Sequence, residues 1–96
     1  MSAVGEYTGW FARSSAGRDQ GRIFCVVGSD PDRGRLLLAD GKRRKLDRPK
    51  AKRFLHLELL ADGSGCPTME RLKQGGPLTD AELRRTLAAF RDEMEA

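Results

Sequence analysis

The chain has 96 residues, enough for one small domain with a modest core, and carries 33% charged residues and a net charge of +4. A chain this short has little stability to give up for an elaborate catalytic cavity, and its longest apolar runs (FCVV over 24–27 and LLLA over 36–39) are far too short to span a bilayer. The first dozen residues hold Glu6, no Lys or Arg and no apolar stretch, so no secretory signal is expected and the cytoplasm is the expected compartment.

A first strand is expected over residues 7–14, carrying Trp10 and Phe11. Residues 15–21 form a polar loop in which Gly17 and Gly21 can take positive φ without a Cβ clash, as a tight reversal between strands requires. The second strand, 22–27, is rich in β-branched and aromatic side chains. Residues 28–34 (GSDPDRG) are dense in turn formers and read as a loop, after which 35–39 give a third strand. Asp40-Gly41 is the cleanest local signal: an Asp-Gly link between strand-like runs favours a type I′ hairpin whose twist matches its flanks. The returning strand is then 42–46. Pro49 breaks the chain, and 52–60 supplies a last strand with Leu55, Leu57 and Leu59 on alternating positions.

Residues 61–78 read as a loop and 79–95 as a helix. Thr79 is a good N-cap, Glu82 completes a capping box, and Leu78 and Leu83 can form the hydrophobic staple. Leu83, Leu87, Phe90 and Met94 make one apolar stripe, expected to dock on the strand-rich part or on a partner, since an isolated helix of this length is marginal in water.

Charge is distributed unevenly. Residues 42–53 (KRRKLDRPKAKR) hold eight cations against the single acid Asp47, beside a second cationic loop with Arg13, Arg18 and Arg22. The C-terminal stretch carries Asp80, Glu82, Asp92, Glu93 and Glu95 against Arg84, Arg85 and Arg91. Such asymmetry points to a polyanionic partner. Lys and Arg at this density neutralise phosphates and release counterions; if about five of the eight touch phosphate, log K falls with log salt at a slope of about −3.5 to −4.5. Pro49 and the lack of aromatics in this segment argue against a membrane-surface helix. Tyr7, Trp10, Phe11 and Phe54 offer a stacking platform for bases, although Trp10 and Phe11 suit core positions better.

No catalytic arrangement is legible. His56, the only histidine, has no carboxylate or nucleophile at a recognisable spacing, and Ser14 and Ser15 lack a base. Asp19 is expected to fix its loop through an Asx-type bond or a pair with Arg18. Cys25 sits in an apolar run and Cys66 in a Gly-Ser-Gly-Cys-Pro stretch. Neither has a second Cys or a His at metal-ligand spacing, so neither a metal nor any other cofactor is expected.

The block GWFARSSAGRDQGR over 9–22, with ADGK over 39–42 and RKLDRPK over 44–50, resembles the KOW motif. The whole region 7–60 resembles the bacterial KOW-domain RNA-binding proteins, which are related to KOW-containing large-subunit ribosomal proteins of archaea and eukaryotes. Gln20 departs from the basic residue often found there, and Trp10 and Phe11 are bulkier than the usual aliphatic pair. The resemblance implies a mainly β fold, an SH3-like small β-barrel with a C-terminal α-helix, and association with structured RNA in the translation machinery. Its binding loops fall on 16–22 and on the basic segment from Lys42. The expected RNA contacts are therefore Arg18, Arg22, Lys42, Arg43, Arg44, Lys45, Arg48, Lys50, Lys52 and Arg53, with Gly17, Asp19 and Gly21 shaping the loop. The expected protein is a non-enzymatic binder of RNA, ribosomal RNA foremost, with ribosomal proteins as further partners and neither a membrane nor a small-molecule substrate. The main rival is a KOW-type protein-interaction module contacting ribosomal or transcription-machinery proteins, and a second rival is DNA binding.

Overall fold

The computed structural model describes residues 7–95. Strands β1 (Phe11–Ser14), β2 (Ile23–Asp30), β3 (Arg35–Ala39), β4 (Lys50–Arg53) and β5 (Leu57–Ala61) form one sheet in the order β4-β3-β2-β1-β5, followed by helices α1 (Pro67–Lys73) and α2 (Asp80–Glu95). Every pairing is antiparallel. The fold is mainly β with a C-terminal helix.

Period-two alternation explains how so short a sheet buries both faces. Phe11, Ile23, Cys25 and Ala39 point to one side, where Met69 of α1 and Leu83 and Leu87 of α2 cover them. Ala12, Phe24, Val26, Leu36 and Leu38 point to the other, where Tyr7, Trp10, Leu57 and Leu59 pack on them. Among the described residues no α-helix covers the second face, which is closed by curvature. β4 and β5 are opposite edges of the sheet, yet only the 3-10 turn Phe54–His56 joins them. A flat five-stranded sheet separates its edge strands by about 19 Å, whereas three residues of 3-10 helix advance about 6 Å. The sheet therefore has to curl until its edges approach. β4 and β5 share no ladder, so the sheet remains open.

Several expectations change. The first strand is shorter than 7–14, because Trp10 N–H closes a turn on the Tyr7 carbonyl (3.0 Å) before the ladder begins. β2 continues to Asp30, beyond the loop expected from residue 28: a bulge between Val26 and Gly28 lets the ladder resume, and Asp30 meets Arg35 at 2.8 Å across the turn. The strand expected over 52–60 is broken by the 3-10 turn, since the chain must there cross from one edge to the other, and Leu55 is left 78% exposed. The loop expected over 61–78 contains α1, started by Pro67 at its first turn and anchored by buried Met69.

The largest correction lies between β3 and β4. Residues 42–46 are not a strand, and Asp40-Gly41 is not a two-residue hairpin. The Asp40 carboxylate accepts from the backbone N–H of Lys42 and of Arg44, both at 2.9 Å. The N–H groups of Asp40 and Gly41 turn to the Arg44 carbonyl, and that of Leu46 goes to Asp80 Oδ1 at 2.8 Å. Those donors are unavailable for a ladder. The strand that pairs with β3 starts beyond Pro49.

Helix α2 begins as its sequence requires. Glu82 N–H donates to Thr79 Oγ1 (3.2 Å) and Thr79 N–H to Glu82 Oε1 (3.1 Å), a reciprocal capping box. Arg71 of α1 pairs with the same Glu82 carboxylate and holds it below its ordinary range, tying the two helices together.

Candidate nucleic-acid interface

Two loops leave the same end of the sheet: residues 15–22 between β1 and β2, and 40–49 between β3 and β4. β4 brings them together. Lys50 and Lys52 lie two apart on one strand and so share a face. Lys50 pairs with the Asp19 carboxylate, and Lys52 Nζ donates to the Ala16 carbonyl at 2.7 Å. Asp19 does not pair with Arg18. The Lys50 bond first, aided by the positive field of Lys52 and Arg44, holds its carboxyl below the ordinary aspartate range. Gly17 takes φ of +79°, with the Lys52 ammonium beside the place a Cβ would occupy.

The other side of the 40–49 loop is fastened to α2. Beyond the Asp80–Leu46 bond, Arg84 donates to the Gly41 carbonyl at 2.6 Å. The loop is thus fixed at three places, by Asp40 from within, by α2 on one flank, and through β4 to the glycine loop on the other. What it leaves to solvent is its cations.

The ten expected contact residues separate into groups. Lys42, Arg43, Arg44, Lys45 and Arg48 are exposed on the 40–49 loop, and Arg18 is exposed on the neighbouring turn, where Arg22 is half-buried. These seven form one basic end of the molecule. Lys52 is only 9% exposed, its ammonium bound to Ala16, and Lys50 is engaged with Asp19, so both act as struts beneath the surface. Arg53 is exposed but lies at the far end of β4, on the opposite face from Lys50 and Lys52 and across from Arg35. Arg13 is taken by Glu58 of β5 at 3.1 Å.

The residues that shape this end and that local sequence did not identify are Asp40, Asp80 and Arg84. Asp40 carries a short-range signal, since Asp readily bonds backbone N–H groups two and four residues on. Asp80 and Arg84 act across 34 and 43 positions, a range at which the sequence shows no pattern.

Other chemistry is sparse. His56 is exposed, and among the described residues no three His, Cys, Asp or Glu side chains gather as a metal site would need. Cys25 is buried, which pushes its thiol up to about 12, and both cysteines are free. No helix among the described residues is long and apolar enough to cross a membrane. In comparisons with family models and with curated proteins, the chain matches none.

Proposed function

We propose that this protein is a non-enzymatic, cytoplasmic RNA-binding module of the KOW type, its curled sheet an SH3-like barrel, gripping structured RNA of the translation machinery. The observation that carries the reading is the convergence of two sequence-distant loops, tied together by Lys50 and Lys52, into one basic end with six exposed cations, Arg18, Lys42, Arg43, Arg44, Lys45 and Arg48. Phosphates spaced along a folded RNA are met by such a surface without any pocket. The strand order, with a 3-10 turn returning the chain from one edge to the other, supports the barrel. A protein-interaction module would leave the helix stripe open to a partner, whereas Leu83 and Leu87 are buried against the chain's own sheet.

The test is binding of a folded RNA measured across salt concentrations. Wild type is expected to show a slope of log K on log salt of about −3.5 to −4.5, the value for some five phosphate contacts. Replacing Arg43, Arg44 and Lys45 together with Ala should weaken binding to all RNA sequences alike and flatten the slope by about 2 to 3. An unchanged slope removes the loop from the interface. Equal or better competition by duplex DNA moves the reading to DNA. Comigration with large ribosomal subunits at low salt, lost at high salt, is expected in sucrose gradients.

A further inference from the structure

A cleft of about 540 Å³ runs along α2, walled on its other side by the loop 61–65 and the start of α1, with Phe11 at its floor. Its volume is that of an ordinary small-ligand site. α2 contributes a single stripe, Glu82, Arg85, Thr86, Ala89, Phe90 and Glu93, so the wall changes character along its length. Arg85 stands at the end nearer the basic loop, within two turns of Asp80, which holds Leu46. Phe90, stacked on Phe11 with centroids 4.0 Å apart and planes 4° from parallel, gives an aromatic middle. Glu93 stands at the far end.

The charged groups are not equivalent. Glu82 is already engaged by Arg71 and the Thr79 cap. Asp62, on the facing wall, accepts from Ser64 N–H at 2.9 Å. Arg85 and Glu93 are exposed and have no ion-pair partner among the described residues. They lie eight residues apart on one helix, about 12 Å by its rise, comparable with the length of a nucleotide from its phosphate to its Watson–Crick edge.

We propose that this cleft binds a guanine nucleotide, with Arg85 on the phosphate, Phe90 against the base and Glu93 accepting from the base edge. A carboxylate takes two parallel N–H bonds best. Guanine places N1–H beside its N2 amino group, whereas cytosine and adenine set their single amino group beside an acceptor and uracil offers one N–H. In RNA this nucleotide is an unpaired guanine next to the segment held by the basic loop, and that source rests on the RNA-binding function proposed above. A free guanine nucleotide has the same chemistry.

Cys66 lines the cleft and reports on its occupancy, since Cys25 is buried and its thiol pushed up to about 12. The experiment is alkylation of the whole protein by N-ethylmaleimide, followed by intact mass, with GMP, CMP, and guanine-containing or guanine-free single-stranded RNA. GMP and the guanine-containing RNA are expected to slow Cys66 alkylation about tenfold more than their counterparts, the discrimination one bidentate base contact provides. E93Q, at an exposed position, should abolish that difference and lower the affinity for guanine-containing RNA about tenfold, to that for guanine-free RNA, with the salt slope unchanged because the lost contact is to a base and not to a phosphate. Equal protection by guanine and non-guanine ligands, or protection by none, overturns the inference and, where folded RNA still binds, leaves the RNA reading standing. Protection by GMP with no RNA binding supports the cleft with a free nucleotide and overturns the RNA reading.

Discussion

Asp40 shows how one side chain reroutes a segment. Read locally, Asp-Gly between apolar runs closes a hairpin. In the fold, the same carboxylate satisfies two backbone donors of the basic loop and turns residues 42–46 away from the sheet. Asp40→Ala leaves those two N–H groups without their acceptor, so a loss of about 1–3 kcal/mol is expected in urea unfolding, with faster amide exchange at Lys42 and Arg44. Gly41 beside it has φ of +77°, and a Cβ there would run into the Asp80 carbonyl. Gly21 has φ of +88° but open space around it. Gly21→Ala should therefore cost only backbone strain of about 1–2 kcal/mol, and Gly41→Ala should cost clearly more, because the start of α2 has to move. Equal losses would mean that the loop and α2 are not in contact. Asp19 adds a pH dependence of definite sign. Its carboxyl titrates lower in the folded chain than in the unfolded one, near 3.9. The stability it contributes is therefore present above that value and lost as pH falls through the lower folded-state value. Asp19→Asn should be less stable than wild type at pH 7, by less than about 1 kcal/mol for a partly exposed pair, and the gap should close in strong acid.

Among the elements, α2 was the most legible. Its cap, staple and stripe are all relations within a few residues, and a helix is built from such relations. Thr79→Ala is expected to cost about 1 kcal/mol by removing the cap. The stripe does not bury uniformly: Leu83 and Leu87 are fully buried, whereas Met94, beside Gly21 and Arg22 at the end of the helix, is 43% exposed. Leu87→Ala should cost about 2–5 kcal/mol, and Met94→Ala should stay within about 0.5 kcal/mol. A large loss at Met94 would show that the end of the helix is covered by something else in solution. Strands β1 to β3 were placed to within a few residues by apolar alternation and turn glycines. The sequence does not mark α1, because its seven residues carry only one buried anchor, Met69, and Pro67 reads equally well as part of a loop.

At the level of the whole molecule, the basic segment divides between a surface and its supports. Composition counts Lys50 and Lys52 with the other cations of 42–53. The curl of the sheet places them under the glycine loop, bonded to Asp19 and Ala16. Lys52→Ala is accordingly expected to lower stability, by about 1–3 kcal/mol for a lost charged hydrogen bond and the unpaired carbonyl, and to leave the salt slope of RNA binding nearly unchanged. A salt slope reduced by about one, with stability intact, would return Lys52 to the contact surface.

The sequence by itself determined strands β1 to β3 to within a few residues, the C-terminal helix with its cap, and the presence of a dense basic block, because each is a property of neighbours in the chain. Only the tertiary structure decided that β4 starts after Pro49, that the sheet's two edges are drawn together by a three-residue turn, and that the basic loop is clasped by Asp80 and Arg84. Those outcomes depend on which backbone donors remain unpaired once the sheet and helix have packed, and that competition is settled between residues tens of positions apart.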